Sequence, residues 1–134
     1  MLAQLWILGV LCAFMRRIFH IVVAINSLIA SFIVKTPYRQ LIIDEAMQAS
    51  RMADYLCTFF FTLALPFVVF SIFSPATLSF GLILILLCTL LSLIFEFAQV
   101  FNDMAFDWAD VYSIIAGGTA AAGLFWMSRK MDFS

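Results

Sequence analysis

The chain has 134 residues, 66% of them hydrophobic, with 7 basic residues against 8 acidic ones. A mean hydropathy of +1.13 is too high for a soluble domain, and a net charge of −1 excludes a nucleic-acid binder, which needs clustered Lys and Arg. The charges gather between apolar runs, which is the pattern of one polytopic all-α membrane domain over 1–134.

The first apolar run, Met1 to Phe14, is short for a span and suits an interfacial or partly embedded helix over about 1–15. It could also continue into the next run as one long tilted helix. The first positive charges, Arg16 and Arg17, follow this run rather than precede it, so it does not read as a cleavable signal. The first full span is predicted from about Ile18 to Val34. His20, Ser27 and Ser31 share one face of it, and a headgroup-level or snorkelling role is expected for its basic end.

Thr36-Pro37 can start a second surface helix, over about 37–53, because proline suits a first helical turn. That stretch mixes apolar residues with Arg39, Asp44, Glu45 and Arg51, so a solvated connector is the competing reading. The second span runs from about Tyr55 to Phe73 and the third from about Thr77 to Phe101. Only Ser74-Pro75-Ala76 separates them, which predicts a tight antiparallel hairpin. The fourth span covers about Ala109 to Met127. Its Gly117, Gly118, Ala121 and Gly123 predict close helix packing. Trp6, Trp108 and Trp126 fall near the proposed interfaces, where aromatic belts form.

Three cysteines, Cys12, Cys57 and Cys88, lie in apolar runs and give neither a disulfide framework nor metal-ligand spacing. No cofactor and no metal is expected. Arg16, Arg17, Arg129 and Lys130 outnumber Lys35, Arg39 and Arg51 on the opposite side, which predicts cytoplasmic termini.

The costliest residues stand at the third and fourth spans. Glu96, Gln99 and Asp103 are spaced i, i+3, i+7 and share a helical face. Asp107 and Asp110 open the fourth helix, where exposed N–H groups and the helix dipole favour carboxylates. Asp110, Ser113 and Gly117 form a face expected to meet Glu96 and Gln99. Asp54 is placed in the same leaflet, with Arg51 as a candidate charge partner. This group reads as a polar clasp joining the third and fourth helices. Glu96, Asp107 and Asp110 are the candidate catalytic residues if the site is a reactive one.

The pattern Glu96-x-x-Gln99, Phe106-Asp107-x-x-Asp110 and Gly117, with Asp54 at the second span, resembles the signature of VanZ-like membrane proteins over about Asp54 to Phe125. The resemblance implies a bacterial cytoplasmic-membrane location and a role at the cell envelope. The chain departs from the family at its basic and amide positions: Tyr55 stands for a lysine, Thr58 for a histidine, Met104 for an arginine and Ile114 for an asparagine. Without those groups the reading leans to a non-catalytic accessory subunit, with membrane lipids and other integral membrane proteins as partners. The alternatives are an embedded enzyme or binding protein for a lipid-linked or envelope glycan substrate, and part of a proton or ion path.

Overall fold

The computed structural model describes residues 2–41, 47–100 and 106–130. Within them lie four helices: α1 (Leu2–Leu41), α2 (Met47–Ile72), α3 (Leu78–Val100) and α4 (Trp108–Lys130). Each contains a stretch long and apolar enough to cross a membrane: Gly9–Val34, Met52–Ile72, Leu78–Ala98 and Trp108–Lys130. The molecule is an all-α, multi-pass membrane protein. Apolar side chains such as Phe32, Phe95 and Leu91 cover its outside, as contact with lipid requires.

The N-terminal segment is continuous with the first span. α1 has 40 residues, a rise of roughly 60 Å, twice the apolar thickness of a bilayer. No glycine or proline separates Phe14 from Ile18, and arginine propagates a helix well, so nothing stops the helix there. The span accordingly begins at Gly9 rather than Ile18. Ile7, Val10, Leu11, Phe14 and Met15 are all exposed and extend past the other helices. The expected surface helix over 37–53 is divided: α1 continues through Thr36-Pro37 to Leu41, and α2 begins at Met47. Residues 42–46 lie outside the described residues.

α2 is the hub, packed along α1 on one side and α4 on another, while α3 packs mainly on α4. The short connection after Ile72 therefore does not make an intimate α2–α3 hairpin. α4 is wedged between the two. Its glycines explain how. A Cβ on Gly117 would lie 2.6 Å from the carbonyl oxygen of Phe59 in α2, and one on Gly118 would collide with the Thr89 side chain in α3. Adjacent helical residues point about 100° apart, so the pair lets two different neighbours approach. Ala121 is fully buried on the same helix, whereas Gly123, expected to join this stripe, is exposed and faces open space.

Antiparallel neighbours give the bundle two unlike ends. At one end, the C-terminus of α2 and that of α4 meet the middle turns of α1 and the early turns of α3. There Phe67, Phe70 and Phe125 form a fully buried cluster with His20. The ring centroids lie 4.9 to 6.1 Å apart, in tilted arrangements that suit ring quadrupoles. His20 is thus a core residue and not a headgroup ligand. The face it shares with Ala24, Ser27 and Ser31 turns inward as a whole. Gly81 of α3 makes room for the ring of Phe125, which lies directly over its Cα.

Candidate functional site

The opposite end gathers the N-termini of α2 and α4 with the C-terminal turns of α1 and α3. Asp107 immediately precedes α4, and its Oδ1 accepts the Ala109 backbone N–H at 3.0 Å. Its carbonyl accepts the Asp110 N–H at 3.1 Å. This is a helix N-cap, satisfying donors that a first turn leaves open. The other carboxylate oxygen, Oδ2, accepts a 2.6 Å hydrogen bond from the Tyr55 hydroxyl of α2. One turn further along both helices, Thr58 Oγ1 donates to Asp110 Oδ1 at 3.1 Å.

The aspartates of α4 are therefore clasped to α2, not to α3 as the spacing along the fourth helix suggested. Spacing tells which residues share a face, but not which neighbour that face meets. Tyr55 and Thr58 occupy the positions where the family resemblance expects lysine and histidine. In this chain two hydroxyls donate to the carboxylates there. Asp54 is exposed on α2, about two turns past the start of that helix at Met47. Asp103 and the side chains of Arg51 and Gln99 lie outside the described residues, so the proposed Arg51 pairing does too.

Glu96 stands apart from the three aspartates. It is 7% exposed and sits in the last turns of α3, where the macrodipole opposes negative charge. Its side chain lines a cavity of about 490 Å³. The cavity floor is built by Thr58, Phe61 and Thr62 of α2 with Ile114 of α4. Ser31 and Phe32 of α1 form one wall, and Ser92, Phe95 and Glu96 of α3 form the other. α1 and α3 hardly touch each other, so the space between them is open sideways, past Phe32 and Phe95, which are 70% and 75% exposed.

The sequence reading missed this cavity and its hydroxyls. A trace of it is present in the alternation of Ser31, Thr58, Thr62 and Ser92 with Phe in otherwise apolar helices. Nothing local reveals that three helices bring them to one place. Among the described residues, no three His, Cys, Asp or Glu side chains converge as a metal site would require. The cysteines are free: Cys12 is exposed on α1, Cys57 lines the cavity and Cys88 lies on α3. No family model matches the chain, and no curated protein or solved structure does.

Proposed function

We propose that this chain is a VanZ-like, non-catalytic accessory subunit of a bacterial cytoplasmic-membrane complex, with the acidic end outside and both termini in the cytoplasm. The observation that carries the reading is the pair of bonds from Tyr55 to Asp107 and from Thr58 to Asp110. Reactive sites combine a base with an electrophilic stabiliser of different chemistry. Here the carboxylates of α4 are engaged by neutral hydroxyls in holding two helices together. The basic cluster of Arg16, Arg17, Arg129 and Lys130 at the other end supports the orientation.

Partners are expected within the membrane, because α1 exposes Ile7, Leu11 and Phe14 beyond the bundle and α3 presents an unbroken apolar outer face. The test is extraction of the native membrane in a mild detergent, followed by mass spectrometry of intact complexes. Co-migration with one or more other integral membrane proteins in fixed ratio is the expected result. A lone chain, with no change in any other membrane protein on its deletion, overturns the proposal. Reporter fusions at each terminus check the orientation separately.

A further inference from the structure

Between Ile18 and Ile33 the exposed side of α1 is apolar, and Asn26 is the exception. Arg17 binds the carbonyls that end α2 and so marks one edge of the bundle. Asn26, nine residues further on, lies about 13 Å inside that edge, near the middle of a hydrocarbon layer roughly 30 Å thick. One of its amide hydrogens goes to the Val22 carbonyl at 2.8 Å. Among the described residues the other hydrogen and Oδ1 have no partner, and lipid chains supply none. An amide placed there is destabilising until another polar group meets it.

Asn26 also belongs to a seam. Cys12, Met15, Phe19, Val22, Asn26 and Ile29 alternate in steps of three and four residues, the 3.5-residue period of a left-handed helix pair. All but the half-buried Phe19 are exposed, and the buried face of His20, Ala24, Ser27 and Ser31 points away from them. The period says where a neighbouring helix lies, and Asn26 says what that helix carries. An amide holds both a donor and an acceptor, so it complements a second amide. A two-fold axis along the membrane normal sets every residue of the seam opposite its own copy, at one depth and in the orientation that both chains share. Asn26 then meets Asn26, with the Nδ2–H of each on the Oδ1 of the other. One polar residue in an otherwise apolar seam also fixes register.

The area is sufficient. The chain exposes 9428 Å², whereas a compact monomer of 15.1 kDa exposes about 7,100 Å². A standard stable interface covers about 800 Å² on each partner, so two copies can pair and still be no less exposed than ordinary monomers. α1 supplies the face, since it has 40 residues and α2 is its main neighbour. We propose that α1 pairs in parallel with α1 of a second copy along the seam from Cys12 to Ile29, and that reciprocal Asn26 amide bonds set its register. The pairing does not depend on the other proteins the chain assembles with. A dimer free of any other membrane protein would overturn the accessory-subunit reading and leave this one intact.

The seam carries its own reporter. Cys12, two heptads before Asn26, is exposed and faces Cys12 of the second copy in the pair. The full chain is reconstituted in phosphatidylcholine vesicles over a range of protein-to-lipid ratios and treated with copper phenanthroline. Its Cu(II) ions take two electrons from a pair of thiols as their protons leave, and a disulfide closes. A covalent dimer that persists on dilution in lipid is the expected result, and Cys12→Ser is expected to lack it. Combining Cys12→Ser with Ala13→Cys turns the thiol about 100° around the helix and is expected to lose the cross-link. Asn26→Leu removes both interhelical bonds and is expected to weaken pairing about tenfold or more, read from the dilution at which half the chains are paired. Asn26→Gln keeps the amide and is expected to restore most of the pairing. Asn26 faces outward, so both variants leave the packing within the chain unchanged.

A monomer at every dilution means that lipid alone covers this face, and it overturns the proposal. Equal cross-linking from residue 13 does the same, as does an Asn26→Leu chain that pairs like the unaltered one. The same oxidation in native membranes tests for a different occupant. A Cys12 adduct with another protein, formed in place of the dimer, assigns the face to that protein and overturns pairing between copies.

Discussion

The two ends of this bundle stabilise helix termini with opposite charges, and only one of them is solid. At the basic end, Arg17 Nε donates to the Ser71 carbonyl at 3.0 Å and Arg129 Nη2 to that of Ala76 at 2.7 Å. Both acceptors belong to the close of α2 and the turn after it, where carbonyls lack intrahelical donors. Beneath them the space is filled by His20, Phe67, Phe70 and Phe125. At the acidic end, aspartates stand at helix N-termini and are tied across helices by hydroxyls, but the volume between α1 and α3 stays open. Positive charge at C-termini and negative charge at N-termini is ordinary dipole matching. Asp107 and Asp110 follow that rule, whereas Glu96, near the C-terminus of α3, runs against it, and Glu96 lines the open space. One end of the molecule serves as anchorage, and the other has room for a ligand.

The largest way to break this contrast is to hollow out the solid end. Phe125 is fully buried against Phe70, His20 and the backbone of Gly81. Phe125→Ala is expected to destabilise the bundle by about 3–5 kcal/mol, since the rigid rings around it cannot collapse into the space. Reversible unfolding in mixed detergent measures the loss. A change below about 1 kcal/mol would show that the cluster tolerates voids as well as the acidic end does.

The clasp comes next. Tyr55→Phe removes only the hydroxyl that reaches Asp107, and Thr58→Val only the one that reaches Asp110. Interhelical hydrogen bonds in membranes average about 0.6 kcal/mol and reach about 1.7. The 2.6 Å bond to a carboxylate belongs near the upper figure and the 3.1 Å bond near the lower. A double-mutant cycle of Tyr55→Phe with Asp107→Asn isolates the first. A coupling near zero would remove the clasp as a stabilising element and weaken the non-catalytic reading with it.

Much of this architecture was legible in the chain, and what was not shares a cause. Hydropathy marks the four spans, Gly117-Gly118 marks the close approach, and Asp107 marks the start of α4, because length, size and capping are local properties. The inward face of His20, Ser27 and Ser31 is also visible as a period. Its burial was misjudged because Arg16 and Arg17, one turn away, suggested headgroups. Which helix Asp110 meets depends on α4 lying between α2 and α3, and no spacing within α4 contains that. The same holds for the cavity: Ser31, Thr58, Ser92 and Glu96 come from three helices, and their meeting depends on α1 and α3 staying apart. α1 also continues through Pro37 to Leu41, although proline is a local helix breaker.

The smallest expected effect concerns the arginines of the solid end. Arg17 is exposed, and its two contacts, with the Ser71 and Ile72 carbonyls, close the C-terminus of α2. Arg17→Gln keeps a donor at the position of Nε for Ser71 but removes the charge and the long 3.4 Å contact with Ile72, so the loss is mainly the dipole interaction. The expected cost is about 0.3–1 kcal/mol, shrinking as salt is added. If the change instead approaches that of Phe125→Ala, the charge rather than the aromatic filling holds this end together. The contrast between the ends would then be one of sign alone, and the open space beside Glu96 would need no explanation beyond loose helix packing.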